Sequence, residues 1–187
     1  MLHCIKEYGK YAEINGFKNI KFIQAEAFLR AKRRETLSIE LQFFDSDLVA
    51  TQQHLYFAVL NALQAFRNKT NISKSLAVEA MLYASAQRQI RKAIQRCGIK
   101  PETTSMAVII IGKNPAEIET LLEATAVCVG AEPDETVLEL TEVKLEKIKE
   151  AFQVKAEEIK TIMKNGNRDE AVVSLVIERV ALLATHL

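Results

Sequence analysis

Ser105-Met106-Ala107-Val108-Ile109-Ile110-Ile111 is the stretch on which the fold turns. Its last six residues are all apolar, and four of them are β-branched. It is too short for a core helix and carries no alternating polar residues, so it reads as the central, buried strand of a sheet. Outward from it the chain punctuates itself. Gly98 and Pro101 close the segment before it, and Asn114-Pro115 opens the one after, with proline at the first helical position of a helix running to about Val129.

Further downstream, Thr136 to Leu140 reads as a strand or extended piece, and an acidic helix starts at Thr141 or Glu142. Gly166 separates that helix from a last one, Asp169 to about Thr185. Upstream, Thr36 to Phe44 alternates, with Leu37, Ile39, Leu41 and Phe43 on one face of a half-buried strand. Asp45-Ser46-Asp47 is a turn, with Ser46 or Asp47 as the cap of a helix from Leu48 to Arg67. Its apolar stripe is Leu55, Ala58, Val59, Ala62 and Phe66. The chain opens with strands at Leu2 to Tyr8 and Ile20 to Ile23, then a short helix from Ala25 that ends in Lys32-Arg33-Arg34. Strands and helices are mixed without repeats or low-complexity linkers. The expectation is an α+β fold, residues 1–187 forming a single domain with a mixed, mostly antiparallel sheet packed by several helices.

Composition removes several function classes. No apolar run approaches the roughly 18 residues of a membrane span, and the N-terminal Met1-Leu2-His3-Cys4-Ile5-Lys6-Glu7 reaches charge too early for a secretory leader. Cys4, Cys97 and Cys128 are odd in number and far apart, as expected of reduced thiols in a cytoplasmic protein. The six glycines never cluster into a phosphate-cradling loop. His3, His54 and His186 lack ligand-spaced partners, so no metal site and no cofactor are expected. Asp45 and Asp47 read as helix caps, His54 as a partly buried structural histidine, and no serine sits in a nucleophile elbow. No catalytic residue is identified.

Charge is the stronger signal. Arg67 to Lys100 holds eight Lys/Arg and one acid, Glu79, a net +7; Asn114 to Lys160 holds five Lys and twelve acids, a net −7. Such asymmetry points to an anionic partner on one side of the molecule. Within the basic segment, Ser73 to Cys97 reads as one helix capped by Ser73. Leu76, Ala80, Tyr83, Ile90, Ile94 and Cys97 form its inner face, and Lys74, Ser85, Arg88, Lys92 and Arg96 its outer one. Val78 and Met81 lie among the outer cations, a mixture suited to a nucleic-acid strand. Glu79 and Gln87 break the apolar face; they either satisfy loop backbone groups or line a cleft. The last helix is apolar nearly all round: Val172, Leu175, Val176 and Leu183 make one stripe, and Val173, Ile177, Val180 and Ala184 a second. Part of its cover is expected from a partner.

The stretch His54-Leu55 … Ala58 … Ala62 … Ala65-Phe66, Asn71-Ile72-Ser73-Lys74-Ser75-Leu76, Glu79, Tyr83-Ala84-Ser85, Gln87-Arg88-Gln89-Ile90 … Ala93-Ile94 … Gly98-Ile99 resembles the small kinase-binding subunit of the KEOPS complex, the p53-related-kinase-binding protein family. The resemblance is clearest from Thr36 to Ile111. It departs at Ala86, where the family pattern leads one to expect glycine. The resemblance implies a non-catalytic subunit of the complex that installs threonylcarbamoyladenosine on tRNA. Such a subunit docks on the kinase-like ATPase subunit and holds the single-stranded CCA 3′ end of tRNA; no DNA or membrane partner is expected. The faces read above then assign Arg67, Lys69, Lys74, Gln87, Arg88, Arg91, Lys92 and Arg96 to tRNA, and Leu175, Arg179, Leu182 and Leu183 to the kinase. The competing readings are a free-standing small-molecule-binding regulatory domain with Glu79, Gln87 and His54 lining its pocket, and an enzyme with an unrecognised site.

Overall fold

The protein is described by a computed structural model over residues 1–34 and 38–185. The deciding stretch is β4 (Ser105–Gly112), an interior strand of a four-stranded sheet. It pairs antiparallel with β2 (Lys10–Lys18) on one side and β3 (Glu40–Asp45) on the other, and β1 (Leu2–Ile5) lies outside β2, giving the order β1-β2-β4-β3. Strand periodicity divides β4 between two cores. Met106, Val108 and Ile110 point to one layer, together with Phe17, Phe43, Leu29 and Ile118. Ala107, Ile109 and Ile111 point to the other, with Leu55, Val59, Met81 and Val176. The first layer is made by α1 (Phe22–Arg34) and α5 (Pro115–Val129). The second, larger layer is built mainly from α2 (Gln52–Asn68), α3 (Leu76–Ala84) and α8 (Arg168–Leu182), with α4 (Ile90–Cys97), α6 (Glu142–Ala151) and α7 (Ala156–Ile162) around them. The α+β class stands, with every strand pair antiparallel among the described residues. No helix among these residues is long and apolar enough to cross a membrane.

Several sequence expectations change. The nine-residue β2 carries buried Glu13 and Asn15 on the same face as Phe17, so this doubly buried strand lacks the apolar run that would announce it, whereas Ile20 to Ile23 is a turn running into α1. The first strand ends at Ile5 and continues as a 3-10 turn, Lys6–Tyr8. The expected strand from Thr36 begins at Glu40; Thr36 and Leu37 lie outside the described residues, as does His186. Asp45 caps a 3-10 turn, Ser46–Leu48, through its bond from the Asp47 amide, and α2 starts only after Thr51. Ser75, not Ser73, caps α3. Thr136 to Leu140 is no strand: Glu135–Leu138 forms a 3-10 turn packed on Gly16, whose missing Cβ would stand 2.7 Å from that of Val137.

The largest change is that two helices read as continuous are each broken in two. At the end of α3 the Ala86 amide bonds Tyr83 O (2.9 Å) and the Gln87 amide bonds Leu82 O (3.0 Å), with Ala86 left-handed at φ 49°. At the end of α6 the Gln153 and Val154 amides bond Glu150 O and Lys149 O in the same way, with Gln153 at φ 54°. Both are Schellman closures with a side-chain-bearing residue where glycine is usual.

Candidate nucleic-acid and partner interfaces

The break at Ala86 frees α4 from α3 and fixes what each can present. Only Ala93 and Cys97 of α4 are buried. Ile90 and Ile94, expected on the inner face, are 40% and 42% exposed, and Arg91, Lys92 and Gln95 point to solvent. Arg96 turns inward: it donates to Ser85 O (3.0 Å), and its guanidinium lies 5.8 Å from the Phe152 ring centre. The short helix thus shows two cations and two isoleucines together, with no acid of its own.

A cleft of about 790 Å³ opens beside it. Gln87, Lys92, Gln95 and Arg96 line one wall, while Lys100, Thr103, Asp45, Asp47 and Lys147 contribute to the rest. Asp47 is paired with Lys147 at 2.5 Å. Asp45 accepts the Asp47 amide (3.1 Å) and the Thr103 hydroxyl (3.2 Å), and burial pushes its carboxyl above the ordinary range. Asp45 and Asp47 are thus engaged within their own wall, and Glu102 and Glu150 also line the cleft. Its four acids balance Lys92, Arg96, Lys100 and Lys147, and the excess positive charge lies on the exposed side of α4, at Arg91 beside Lys92.

The sequence set for RNA is therefore divided. Gln87, Lys92 and Arg96 share the cleft, and Arg88 and Arg91 are exposed beside it. Arg67 lies elsewhere, stacked 4.8 Å from the Tyr8 ring centre and bonded to Gln64. Lys69 closes α2 in a left-handed conformation. Lys74 lines a separate groove of about 400 Å³ with Lys32, Arg33 and Glu40. Gln95, Lys100 and Lys147 went unassigned. Lys100 was visible in the basic segment, but Lys147, from the acidic one, gave no signal.

Two residues expected to line a pocket do not. Glu79 is buried and accepts the amides of Ile72 (3.0 Å) and Ser73 (2.7 Å), the loop-bonding role. His54 is fully buried; its Nδ1 accepts the Ala50 amide (3.1 Å), so its Nε2 carries the proton and donates to Ala84 O (2.8 Å). Burial lowers its pKa to about 4. It is a neutral structural histidine, buried more completely than the sequence suggests. Among the described residues no three His, Cys, Asp or Glu side chains form a group able to hold a metal.

On α8 the expectation of an open apolar face is corrected. Leu175 is 3% and Leu183 7% exposed, because α2, α3, α6 and α7 pack around the helix. Arg179 is spent on the fold: it donates to Phe152 O (2.8 Å), Leu175 O (3.2 Å) and Gln153 O (3.3 Å), and pairs with Glu158 at 2.9 Å. Of the four residues assigned to the kinase, Leu182 is the exposed one, at 43%; Ser174, Glu178 and Ala181 continue its outward line.

Comparison with known proteins falls on the same region and beyond it. A family model described as kinase binding protein CGI-121 matches residues 15–184. The regulatory protein Cgi121 of Methanocaldococcus jannaschii is 32% identical over 147 residues, covering 79% of this chain and 85% of that one.

Proposed function

The chain belongs to the kinase binding protein CGI-121 family, and from that premise we propose that it serves as a non-catalytic subunit of the KEOPS tRNA-modification complex in the cytoplasm. In this reading it docks on the kinase-like ATPase subunit and holds the single-stranded CCA end of tRNA. The observation that carries the RNA part is α4. Arg91 and Lys92 stand in solvent beside Ile90 and Ile94, over a cleft whose near wall adds Gln87 and Gln95. Cations take phosphates, exposed apolar side chains and amides take unstacked bases, and a cleft of this size admits a nucleotide. Arg96 acts as support, since its guanidinium anchors the α3–α4 turn. Arg67, Lys69 and Lys74 would meet the RNA outside that cleft.

For the kinase, the outward line of α8 around Leu182 is the surface left available, while Leu175, Leu183 and Arg179 shape it from within. The decisive experiment compares intact tRNA with tRNA lacking its CCA tail in binding to the purified chain. At least tenfold weaker binding of the truncated RNA is expected, and equal binding removes the tail-holding role. Capture of a kinase-like ATPase that persists undiminished with L182E would remove the docking role of α8.

A further inference from the structure

An open groove of about 920 Å³ runs between the start of α2, the turn Glu135–Leu138 and the first half of α8. Leu138, Leu140, Val173 and Ile177 provide apolar lining. Glu135, Glu139, Asp169 and Glu170 supply its ionised groups, and no Lys or Arg lines it. Acids in the first turn of a helix are ordinary, and Asp169 and Glu170 alone would mean no more than that. Glu135 and Glu139 come from a different segment, however, and bring their charge to the same depression. Glu135 pairs with the amino group of Met1 (2.7 Å) and Glu170 accepts from the Asn167 amide group (3.2 Å). The carboxylates of Glu139 and Asp169 have no hydrogen bond or ion pair among the described residues. Lys144 approaches Glu139 only at its backbone carbonyl (3.2 Å).

Apolar lining with uncompensated acids asks for a ligand that offers both greasy side chains and cations. Nucleic acid is repelled from such a surface. We propose that this groove binds an extended, Lys/Arg-bearing segment of a partner protein, alternate apolar side chains resting on the half-buried Leu140 and Ile177 and the intervening cations reaching Glu139 and Asp169. The period-2 alternation of an extended chain delivers both sets at once. The inference does not rest on the KEOPS reading. It gives the molecule a protein-binding face opposite in charge to α4.

The test titrates the isotope-labelled full chain, followed by backbone amide NMR. The probes are the pentapeptide acetyl-Leu-Arg-Leu-Lys-Leu-amide, its counterpart with Glu at both cationic positions, spermidine, and a short single-stranded RNA. The basic peptide is expected to shift the amides of Leu140, Val173, Ser174 and Ile177, to bind more weakly as salt rises, and to bind at least tenfold more weakly to E139K/D169K. That variant alters solvent-facing acids, and its unchanged spectrum elsewhere verifies the fold. Absence of shifts in the groove overturns the proposal, as do equal shifts there with the acidic peptide, spermidine or RNA, or undiminished binding to the double variant.

Discussion

The helices α4 and α8 were both read from sequence as surfaces left open for other molecules, and the structure separates them. On α8 seven residues are buried if Leu183 is counted with Ala171, Val172, Val173, Leu175, Val176 and Val180, and Arg179 is bonded to the loop behind α6. On α4 only Ala93 and Cys97 are buried. Apolar density along a helix measures how much cover it needs, and a larger layer of helices supplies that cover from within. Cations with no opposing acid measure exposure more reliably, because a buried lone charge is too costly to keep.

The contrast is broken most severely by truncating the closed helix. Leu175→Ala should cost about 3–4 kcal/mol in urea denaturation, since it opens a cavity in a packed layer. Ile94→Ala on α4 should cost well under 1 kcal/mol, because its side chain is already partly in water. Similar costs at the two sites would erase the distinction.

Acid tests the junction between the closed and open regions. His54 holds Ala84 O, the last residue of α3, and its folded pKa of about 4 lies below the ordinary 6.5. A lowered folded pKa means the unfolded chain binds the proton more tightly, so this stabilisation is whole above pH 6.5 and is lost as pH falls through 4. The loss is on the order of 3 kcal/mol. A stability profile from pH 7 to pH 4 should fall accordingly, and His54→Gln should flatten that part of the fall.

What could be read in the sequence follows from the same physics. The apolar run of β4, the Asn114-Pro115 start of α5 and the Gly98 stop of α4 were all legible, because each rests on local chemistry. Glu13 and Asn15 hid β2, since they are polar yet buried: Glu13 accepts from the Asn15 side chain at 3.2 Å and from the Met1 amino group, at the neighbouring strand's start, at 2.6 Å. The turns at Ala86 and Gln153 were invisible because no glycine announces them. At the candidate site the charge of α4 was legible, but its partition was not. Whether an arginine serves RNA or Ser85 O, and whether Leu175 faces a kinase or α2, depends on neighbours distant in the chain.

Arg179→Ala sharpens the comparison from the closed side. It removes bonds to Phe152 O, Leu175 O and Gln153 O and should cost about 2 kcal/mol, given the worth of charged hydrogen bonds. Its effect on kinase capture should then match the lost stability and vanish at low temperature. From the open side, R91E/K92E should leave thermal stability almost unchanged while weakening tRNA at least tenfold. Loss of two phosphate contacts should also flatten the log–log salt slope by about 2 units. Unchanged affinity in filter binding would transfer the RNA role away from α4.

The smallest effect lies at the hinge between the two regions. Ala86 occupies the left-handed position of a Schellman closure at φ 49°, where a Cβ costs about 1 kcal/mol relative to glycine. Ala86→Gly relieves that strain but also gives the unfolded chain more freedom, which offsets part of the gain. The expected net is a stabilisation of about 0.5 kcal/mol, with tRNA affinity within twofold of the parent, because the turn already holds the shape that glycine would favour. A marked destabilisation would mean that the Ala86 methyl, packed against the larger core, contributes more than the strain it causes. A large change in RNA binding at constant stability would instead place the backbone of residue 86 in contact with the ligand, and would extend the open region one turn further toward α3.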